Sequence, residues 1–229
     1  MSEMLELAKS VAKIAGQNAM KYFGKEKSIN NKSEVDLVTH VDIENEKLIV
    51  NMIKEKYPNH GFILEEGDDE KESAEYKWVI DPIDGTTSYA HNYPMFAINI
   101  GVTKNNKPIM GVVYLPFFDE LFFAEIGDGA YLNDKKISVT KTNELSKSLI
   151  ATGFPYTRIT TTKNNLNYLK NMIDIVQGIR QSGSAAIDIC FVACGRLDGY
   201  WELGLKTMDT LPAQVILNEA GGKFTDMKG

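Results

Sequence analysis

The residue types that could do chemistry are concentrated in the motif DPIDGTT, residues 81–87. Asp81 and Asp84 lie three positions apart in this motif and directly follow an apolar run. Two carboxylates at the end of a buried strand repel each other unless a positive charge lies between them. Carboxylate oxygens are hard ligands, which favour magnesium over softer metals. The motif therefore predicts a site for a pair of magnesium ions.

Further acidic residues could join this motif. Glu65 and Glu66 end the predicted strand GFILEE, and Asp209 stands at the start of the last predicted helix. Strand ends and helix starts gather ligands at one edge of a sheet, and the loops there carry chemistry. Two ions held at such an edge could bind a phosphate, position a water molecule and stabilise the leaving oxygen.

The residues after Asp84 suit an anionic ligand. Gly85 allows the backbone to approach a ligand closely, and Gly85, Thr86 and Thr87 could offer N–H groups to an anion at a helix start. The hydroxyl group of Thr86 could also orient an attacking water molecule. The pattern therefore predicts a phosphate-binding segment next to the metal site.

Each of these signals also has a purely structural interpretation. DPIDG alone is more often a turn with capping aspartates, and Asp209 alone is more often a helix N-cap. The acidic run at 68–72 is typical of a solvated loop. Cys190 and Cys194, four positions apart in a helical pattern, are expected in the core. The metal interpretation therefore depends on the combination of motifs.

The composition limits the class of protein. The chain has 229 residues, of which 43% are hydrophobic and 24% charged, as is usual for a soluble globular protein. Its formal net charge of −6 argues against a nucleic-acid partner. The sequence contains no apolar run of membrane-spanning length and no signal-peptide pattern. The 3 histidines lack metal-ligand spacing, so zinc is not expected. We expect a cytoplasmic protein with reduced cysteines.

The elements that must position these residues follow from hydrophobic periodicity and capping signals. One helix is predicted over residues 5–23 and a second from Thr39 to Tyr57, with Thr39 and Asp42 forming a capping box. Short strands are predicted at GFILEE and KWVIDP, followed by consecutive strands between residues 96 and 140. Further helices are predicted near residues 162–176 and 184–195, a strand at 197–203, and a last helix that starts at 209–212 and ends at Gly221-Gly222. This order indicates layered α and β structure with prominent antiparallel pairing.

Together these motifs resemble the inositol monophosphatase family. The similarity runs from NKSEVDLVTHVD at 31–42, through the EE pair and DPIDGTT, to the segment from GSAAIDICFVACG to NEAGG. This family belongs to a wider group of magnesium-dependent, lithium-sensitive phosphatases that includes fructose-1,6-bisphosphatases. The resemblance implies an α/β fold, a layered α-β-α-β-α sandwich, formed by a single domain over residues 1–229.

The resemblance also implies the metal ligands. The first magnesium ion would be held by Glu65, Asp81 and the backbone carbonyl of Ile83, and the second by Asp81, Asp84 and Asp209. Glu65 and Thr86 would orient the nucleophilic water. A third, weakly held ion would lie near Lys32.

The same resemblance implies contacts to the substrate. Gly85, Thr86 and Thr87 would contact the phosphate group. The alcohol part of the substrate would lie against Ser184, Ala185 and Glu202. Accessory support for the site would come from Lys32, Asp42 and Glu66.

The chain departs from the family pattern at three places. Met208 stands before Asp209 where the family usually has tryptophan, and TLPAQ replaces the usual alanine-glycine run after the aspartate. The chain stops at GGKFTDMKG, whereas relatives typically continue with further strand and helix. We therefore expect the C-terminal strand and helix region to be short or missing.

The predicted function is a magnesium-dependent phosphomonoesterase that acts on inositol 1-phosphate or a similar polyol phosphate by direct attack of water, without a phosphoenzyme. The partner is a small-molecule phosphate monoester, and the family usually forms homodimers. The alternatives are a fructose-1,6-bisphosphatase, which some relatives combine with the first activity, and, ranked lower, phosphatases of adenosine 3′,5′-bisphosphate, NADP or histidinol phosphate. A transcription-associated binding protein is the non-enzyme alternative.

Overall fold

The computed structural model describes residues 1–25, 29–31, 37–156, 161–162 and 164–229; the predicted accessory residue Lys32 lies outside these ranges. The helices are α1 (Glu3–Tyr22), α2 (His40–Lys56), α3 (Thr86–Ala90), α4 (Leu166–Met172), α5 (Ala185–Ala193) and α6 (Thr207–Glu219), with a 3-10 turn at Leu145–Lys147. The strands are β1 (Ile29–Asn31), β2 (Leu37–Thr39), β3 (Gly61–Leu64), β4 (Tyr76–Asp84), β5 (Ala97–Lys104), β6 (Lys107–Leu115), β7 (Glu120–Glu125), β8 (Gly129–Leu132), β9 (Lys135–Lys136), β10 (Leu149–Thr152), β11 (Gly178–Arg180) and β12 (Gly199–Trp201).

The central sheet has seven strands in the order β3-β4-β5-β6-β7-β8-β9. Strands β3 and β4 are parallel, and each later pair is antiparallel. Strands β5 and β6 are joined by Asn105 and Asn106, whose φ angles of 49° and 62° are the positive values that a two-residue hairpin turn requires. Asparagine tolerates this conformation because its short side chain can hydrogen-bond locally. The predicted turn at KNNKP is therefore confirmed.

Both faces of the central sheet are covered by helices. Along β6, Val112 and Tyr114 point into the core formed with α1 and α2, whereas Val113 and Leu115 point into the core formed with α5 and α6. Side chains alternate between the two faces of a strand, so a strand buried on both faces is apolar throughout. In the part of the chain that the structure describes, no helix combines the length and apolar character of a membrane span.

A smaller sheet of three parallel strands, in the order β11-β10-β12, lies beyond α5, which contacts β5, β6 and β12. The elements are thus stacked as helices, sheet, helices, sheet. The predicted layered α/β fold is confirmed, and antiparallel pairing dominates the larger sheet and forms the two-stranded sheet of β1 and β2. The capping box predicted for α2 is also present, with Thr39 as N-cap and Asp42 three residues later.

Two predicted element ends were wrong around the acidic motifs. Strand β3 ends at Leu64, so Glu65 and Glu66 lie in the bend that follows it. Strand β4 continues to Asp84, and its register with β5 shifts between Asp81 and Asp84. Pro82 has no N–H group to donate to the hydrogen-bond ladder between the two strands. Asp81 and Asp84 therefore lie on either side of an irregularity within β4, not in a turn after it.

The start of the last helix was also predicted too late. Helix α6 begins at Thr207, so Asp209 is in its first turn and Pro212 is in its second turn rather than its first. The carboxylate of Asp209 accepts a hydrogen bond of 2.7 Å from the backbone N–H of Lys206, the residue before the helix. This bond caps the first turn, so the helix begins before the aspartate.

A histidine with a lowered pKa connects the end of α2 to the central sheet. The indole N–H of Trp78 donates to Nδ1 of His60 over 3.0 Å, which requires that nitrogen to be unprotonated. The imidazole ring stacks on Tyr57 and on Tyr76, with ring centroids 4.7 Å and 5.0 Å away. Burial lowers the pKa of His60, and the nearby charge of Glu75 opposes this effect.

We expect this histidine to make folding pH-dependent. The pKa of His60 is lower in the folded chain than the unfolded value of about 6.5, so the unfolded chain binds more protons below that pH and stability falls as the pH drops. Urea unfolding at pH 7.5 and 5.5 measures this loss. The variant His60→Asn keeps an acceptor for Trp78 but cannot titrate, and it should lose less stability between the two pH values. An equal loss in both proteins would contradict the assignment.

Candidate active site

Three carboxylates from distant parts of the chain meet at one point. One oxygen atom from each of Glu65, Asp81 and Asp209 lies within 4.8 Å of the other two. Asp81 is buried, and the other two side chains are half-buried. This carboxylate cluster contains oxygen donors alone, which suits a hard divalent cation such as magnesium and not a thiolate-seeking metal. The donor set therefore fits the metal that the resemblance implies.

The sheet and one helix bring the carboxylate cluster together. Strand β3 runs parallel to β4 with Leu64 opposite Ile80, so the residue after each of these positions emerges at the same edge. Glu65 and Asp81 are these two residues. Helix α6 packs across β4, β5 and β6, and its first turn carries Asp209 to the same edge. The meeting of these three carboxylates therefore depends on tertiary packing.

Asp84 lies beside the carboxylate cluster and connects β4 to α5. Its Oδ2 atom accepts hydrogen bonds from the hydroxyl of Ser184 (2.7 Å), from the amide of Asn99 (3.1 Å) and from the backbone N–H of Ala186 (3.1 Å). Burial raises the pKa of Asp84 to about 6, although these three hydrogen bonds lower it. Ser184 also caps α5 by accepting from the N–H of Ile187. The helix start is thus locked to the strand.

The carboxylates raise one another's pKa values. The pKa of Asp81 lies well above its ordinary value because of burial first and then the charges of Asp84, Glu65 and Asp209. Burial, followed by the charge of Asp84, raises the pKa of Asp209 to about 7. A metal ion requires ionised carboxylates, so the binding of a cation at this cluster would be coupled to the release of protons.

Asp42 holds the threonine that was predicted to orient water. The Oγ1 atom of Thr86 lies 3.1 Å from Oδ1 of Asp42 and 3.0 Å from the carbonyl oxygen of Ile83. The other carboxylate oxygen of Asp42 accepts from the backbone N–H of Thr39 over 2.9 Å. Burial raises the pKa of Asp42, and its bonds to Thr39 and Thr86 lower it. The start of α2 therefore fixes the orientation of a hydroxyl group next to the cluster.

The loop that carries Glu65 and Glu66 is held by a residue that the sequence analysis missed. The carboxylate of Glu46 accepts a 2.9 Å hydrogen bond from the backbone N–H of Glu66. Burial, and more weakly the charge of Glu65, raises the pKa of Glu46. Glu46 follows Asp42 by four positions on the same face of α2, and this spacing was the available signal.

The cluster opens into a cavity of about 560 Å³. Its described wall contains the predicted phosphate-contacting residues and alcohol-contacting residues: Gly85, Thr86, Thr87, Ser184, Ala185 and Glu202. Gly85 precedes α3 with a φ of 88°, and a Cβ there would lie 2.9 Å from the carbonyl oxygen of Met95. Glycine is therefore required where the backbone turns into the cavity.

Other parts of the cavity wall are also acidic. Glu202 accepts a hydrogen bond from the hydroxyl of Tyr200, and burial raises the pKa of Glu202. A Cβ on Gly153 would come within 2.0 Å of Oε2 of Glu202, so a side chain there would require this carboxylate to shift. Asp188 lines the same wall, and burial raises its pKa to about 7. The sequence analysis missed Asp188, although an aspartate inside the apolar run SAAIDICFVA was a signal.

Comparison with known proteins decides the family. The sequence profile of the inositol monophosphatase family matches residues 1–229. The chain belongs to this family. Family members are generally metal-dependent, in agreement with the acidic cluster, and the family together with the names of its relatives identifies the chain as a phosphatase.

The relatives carry related but different names. The chain is 44% identical over 220 residues to inositol-1-monophosphatase of Synechocystis sp., covering 95% of this chain and 77% of that protein. It is 39% identical over 227 residues to fructose-1,6-bisphosphatase/inositol-1-monophosphatase of Aquifex aeolicus, covering 98% and 86%. It is 36% identical over 232 residues to Nus factor SuhB of Pasteurella multocida, covering 100% and 87%. The names leave the substrate open.

A solved structure of the family shares the fold. The inositol monophosphatase from Anabaena (Nostoc) sp. PCC 7120 superposes with a TM-score of 0.88 at 42% identity, covering 96% of this chain and 82% of that one. The arrangement of a central mixed sheet between helices is therefore the arrangement of the family.

Proposed function

We propose that the chain is a magnesium-dependent phosphomonoesterase that hydrolyses inositol 1-phosphate or a similar polyol phosphate by direct attack of water. The observation that carries this proposal is the meeting of Glu65, Asp81 and Asp209 within 4.8 Å of one another at the wall of a cavity that also contains the start of α3. A phosphate dianion would be repelled by these carboxylates unless bound cations neutralised them. The cavity thus suits a phosphate only together with metal ions.

One magnesium ion would be held by Glu65, Asp81 and the carbonyl of Ile83, and the other by Asp81, Asp84 and Asp209. The ions would supply positive charge to the phosphate and a water of lowered pKa. The residues of the chain position the attacking water and the substrate. Thr86, whose hydroxyl is held between Asp42 and the Ile83 carbonyl, orients the water together with Glu65.

The first turn of α3 supplies backbone donors. The first N–H groups of a helix have no partner within the helix, so Gly85, Thr86 and Thr87 can offer theirs to the phosphate oxygens. The neighbouring wall receives the alcohol part of the substrate. There Glu202 accepts hydrogen bonds from hydroxyl groups, and Ser184 and Ala185 bound the space. Because Asp188 and Glu202 are acidic, this wall favours a polyol over a second phosphate group.

The remaining parts of the proposal follow from the family. We expect a homodimer in the cytoplasm, inhibition by lithium, and a third, weakly held magnesium ion. Fructose 1,6-bisphosphate is the second candidate substrate, because the relative from Aquifex aeolicus is named for both activities. Adenosine 3′,5′-bisphosphate and NADP rank lower, since the acidic residues disfavour the extra charge that all three compounds carry and the name of that relative supports fructose 1,6-bisphosphate alone among them.

Phosphate release from a panel of substrates tests the proposal. The panel contains inositol 1-phosphate, fructose 1,6-bisphosphate, adenosine 3′,5′-bisphosphate and NADP, each with magnesium and with a chelator. We expect magnesium-dependent release that is fastest from inositol 1-phosphate. Folded protein that released phosphate from no member, or released it equally in the chelator, would contradict the proposed function.

A second candidate function is a binding role in transcription. It is favoured by one observation, the name Nus factor SuhB of the relative from Pasteurella multocida. Such a role needs no ionised metal ligands, so a stable complex with transcription proteins should persist in an Asp84→Asn variant. Co-purification with both forms of the chain separates this role from catalysis.

A further inference from the structure

Lys206 contacts two members of the carboxylate cluster through different groups. Its backbone N–H donates to Oδ2 of Asp209 over 2.7 Å, and its side-chain Nζ forms an ion pair of 2.8 Å with Oε1 of Glu65. The lysine side chain is 55% exposed, whereas that of Glu65 is 14% exposed. The ammonium group therefore reaches a sheltered carboxylate from the solvent side.

Lys206 also differs in charge from the other described residues that line the cavity. Among the described residues that line the cavity, it carries the only positively charged side chain. The acidic residues that line the same cavity are Glu65, Asp81, Asp84, Asp188, Glu202 and Asp209. Because the Glu65 carboxylate is sheltered, solvent screens its ion pair with Lys206 less than it screens a fully exposed pair. The lysine thus alters the electrostatic field that a bound cation would feel.

We propose that Lys206 competes with a divalent cation for Glu65 and so sets the affinity of the carboxylate cluster for that cation. The inference rests on the proposed metal site. A cation that binds Glu65 must share or displace the ammonium group, and the two positive charges repel each other. Lys206 weakens cation binding in this way and acts through Glu65, so it is a positioning residue rather than a catalytic one.

The same residue should strengthen the binding of phosphate. An ammonium group that is displaced from Glu65 stays at the cavity wall, where it attracts a phosphate dianion. Loss of the charge should therefore change the two affinities in opposite directions: tighter for the cation and weaker for phosphate. A purely structural role for Lys206 would weaken both.

Calorimetric titration of the chelator-treated protein tests the inference. We expect Lys206→Gln to bind Mg²⁺ about tenfold more tightly than the wild type, and inorganic phosphate, at saturating Mg²⁺, about threefold more weakly. Lys206→Arg keeps the charge and should bind both as the wild type does. Lys54→Gln is the matched control, because it removes a lysine from the Lys54–Glu70 ion pair, which lies outside the cavity wall. Lys206→Met is a second neutral variant if glutamine destabilises the fold.

The outcomes separate this inference from the proposed function. If the neutral variants bind Mg²⁺ as the wild type does, or more weakly, the competition is refuted. If the wild type does not bind Mg²⁺ at all, both the inference and the proposed metal site fail. If the titrations agree with the inference but no substrate of the panel is hydrolysed, the proposed function alone fails.

Discussion

Replacing Asp84 by asparagine should lower phosphate release from the best substrate by about a thousandfold or more while the chain stays folded. The carboxylate is proposed to bind the second cation, and an amide has no negative charge to offer it. The fold should survive because Oδ2 of Asp84 acts as an acceptor for Ser184, Asn99 and Ala186, and an asparagine oxygen can accept in its place.

The control for this variant makes the same chemical change elsewhere. Asp119→Asn alters a turn residue whose Oδ1 accepts from the hydroxyl of Tyr114 and which has a φ of 51°, a conformation that asparagine tolerates. Steady-state kinetics with circular dichroism should show near wild-type turnover for Asp119→Asn and loss for Asp84→Asn. Turnover of Asp84→Asn at the wild-type rate with magnesium would show the two-metal assignment to be wrong.

Replacing Gly111 by alanine should destabilise the chain by about 3 kcal/mol and reduce activity as well. A Cβ at Gly111 would lie 2.0 Å from the carbonyl oxygen of Pro212 and 2.7 Å from its Cα. These atoms belong to the backbone of α6, so relief of the clash requires the helix to move away from β6. The same helix carries Asp209 into the carboxylate cluster, and this links packing to the site.

Urea unfolding measures this effect, and a second glycine provides the comparison. At Gly178, on strand β11, the closest neighbours of an added Cβ are the side chains of Leu149 at 3.2 Å and Arg180 at 3.5 Å, which can adjust. Gly178→Ala should therefore change stability by less than about 1 kcal/mol. Equal losses in the two variants would mean that α6 is not held against β6 as tightly as the distance implies.

Local features of the fold were predictable because they depend on neighbouring residues. The start of α2 follows from Thr39 and Asp42, which cap the helix within one turn. The β5–β6 hairpin follows from Asn105 and Asn106, which favour positive φ. The limits of β4 and α6 were predicted less well. The end of β4 and the start of α6 were hard to predict because each element contains a proline. Pro82 lies within the strand, and Pro212 lies in the second turn of the helix.

By itself, the sequence determined which groups could bind a cation and a phosphate, because the residue types alone show this chemistry. These groups are the motif DPIDGTT, the pair Glu65 and Glu66, and Asp209. Only the tertiary structure decided which of these groups meet. The ion pair between Lys206 and Glu65 joins residues 141 positions apart, and no local pattern encodes such a distance. The packing of α6 across the sheet and the parallel pairing of β3 with β4 create that contact and the carboxylate cluster. The same packing determines the electrostatics of the site. It raises the pKa values of the carboxylates and places a single described cation on the cavity wall, because burial and proximity determine how strongly charged groups interact.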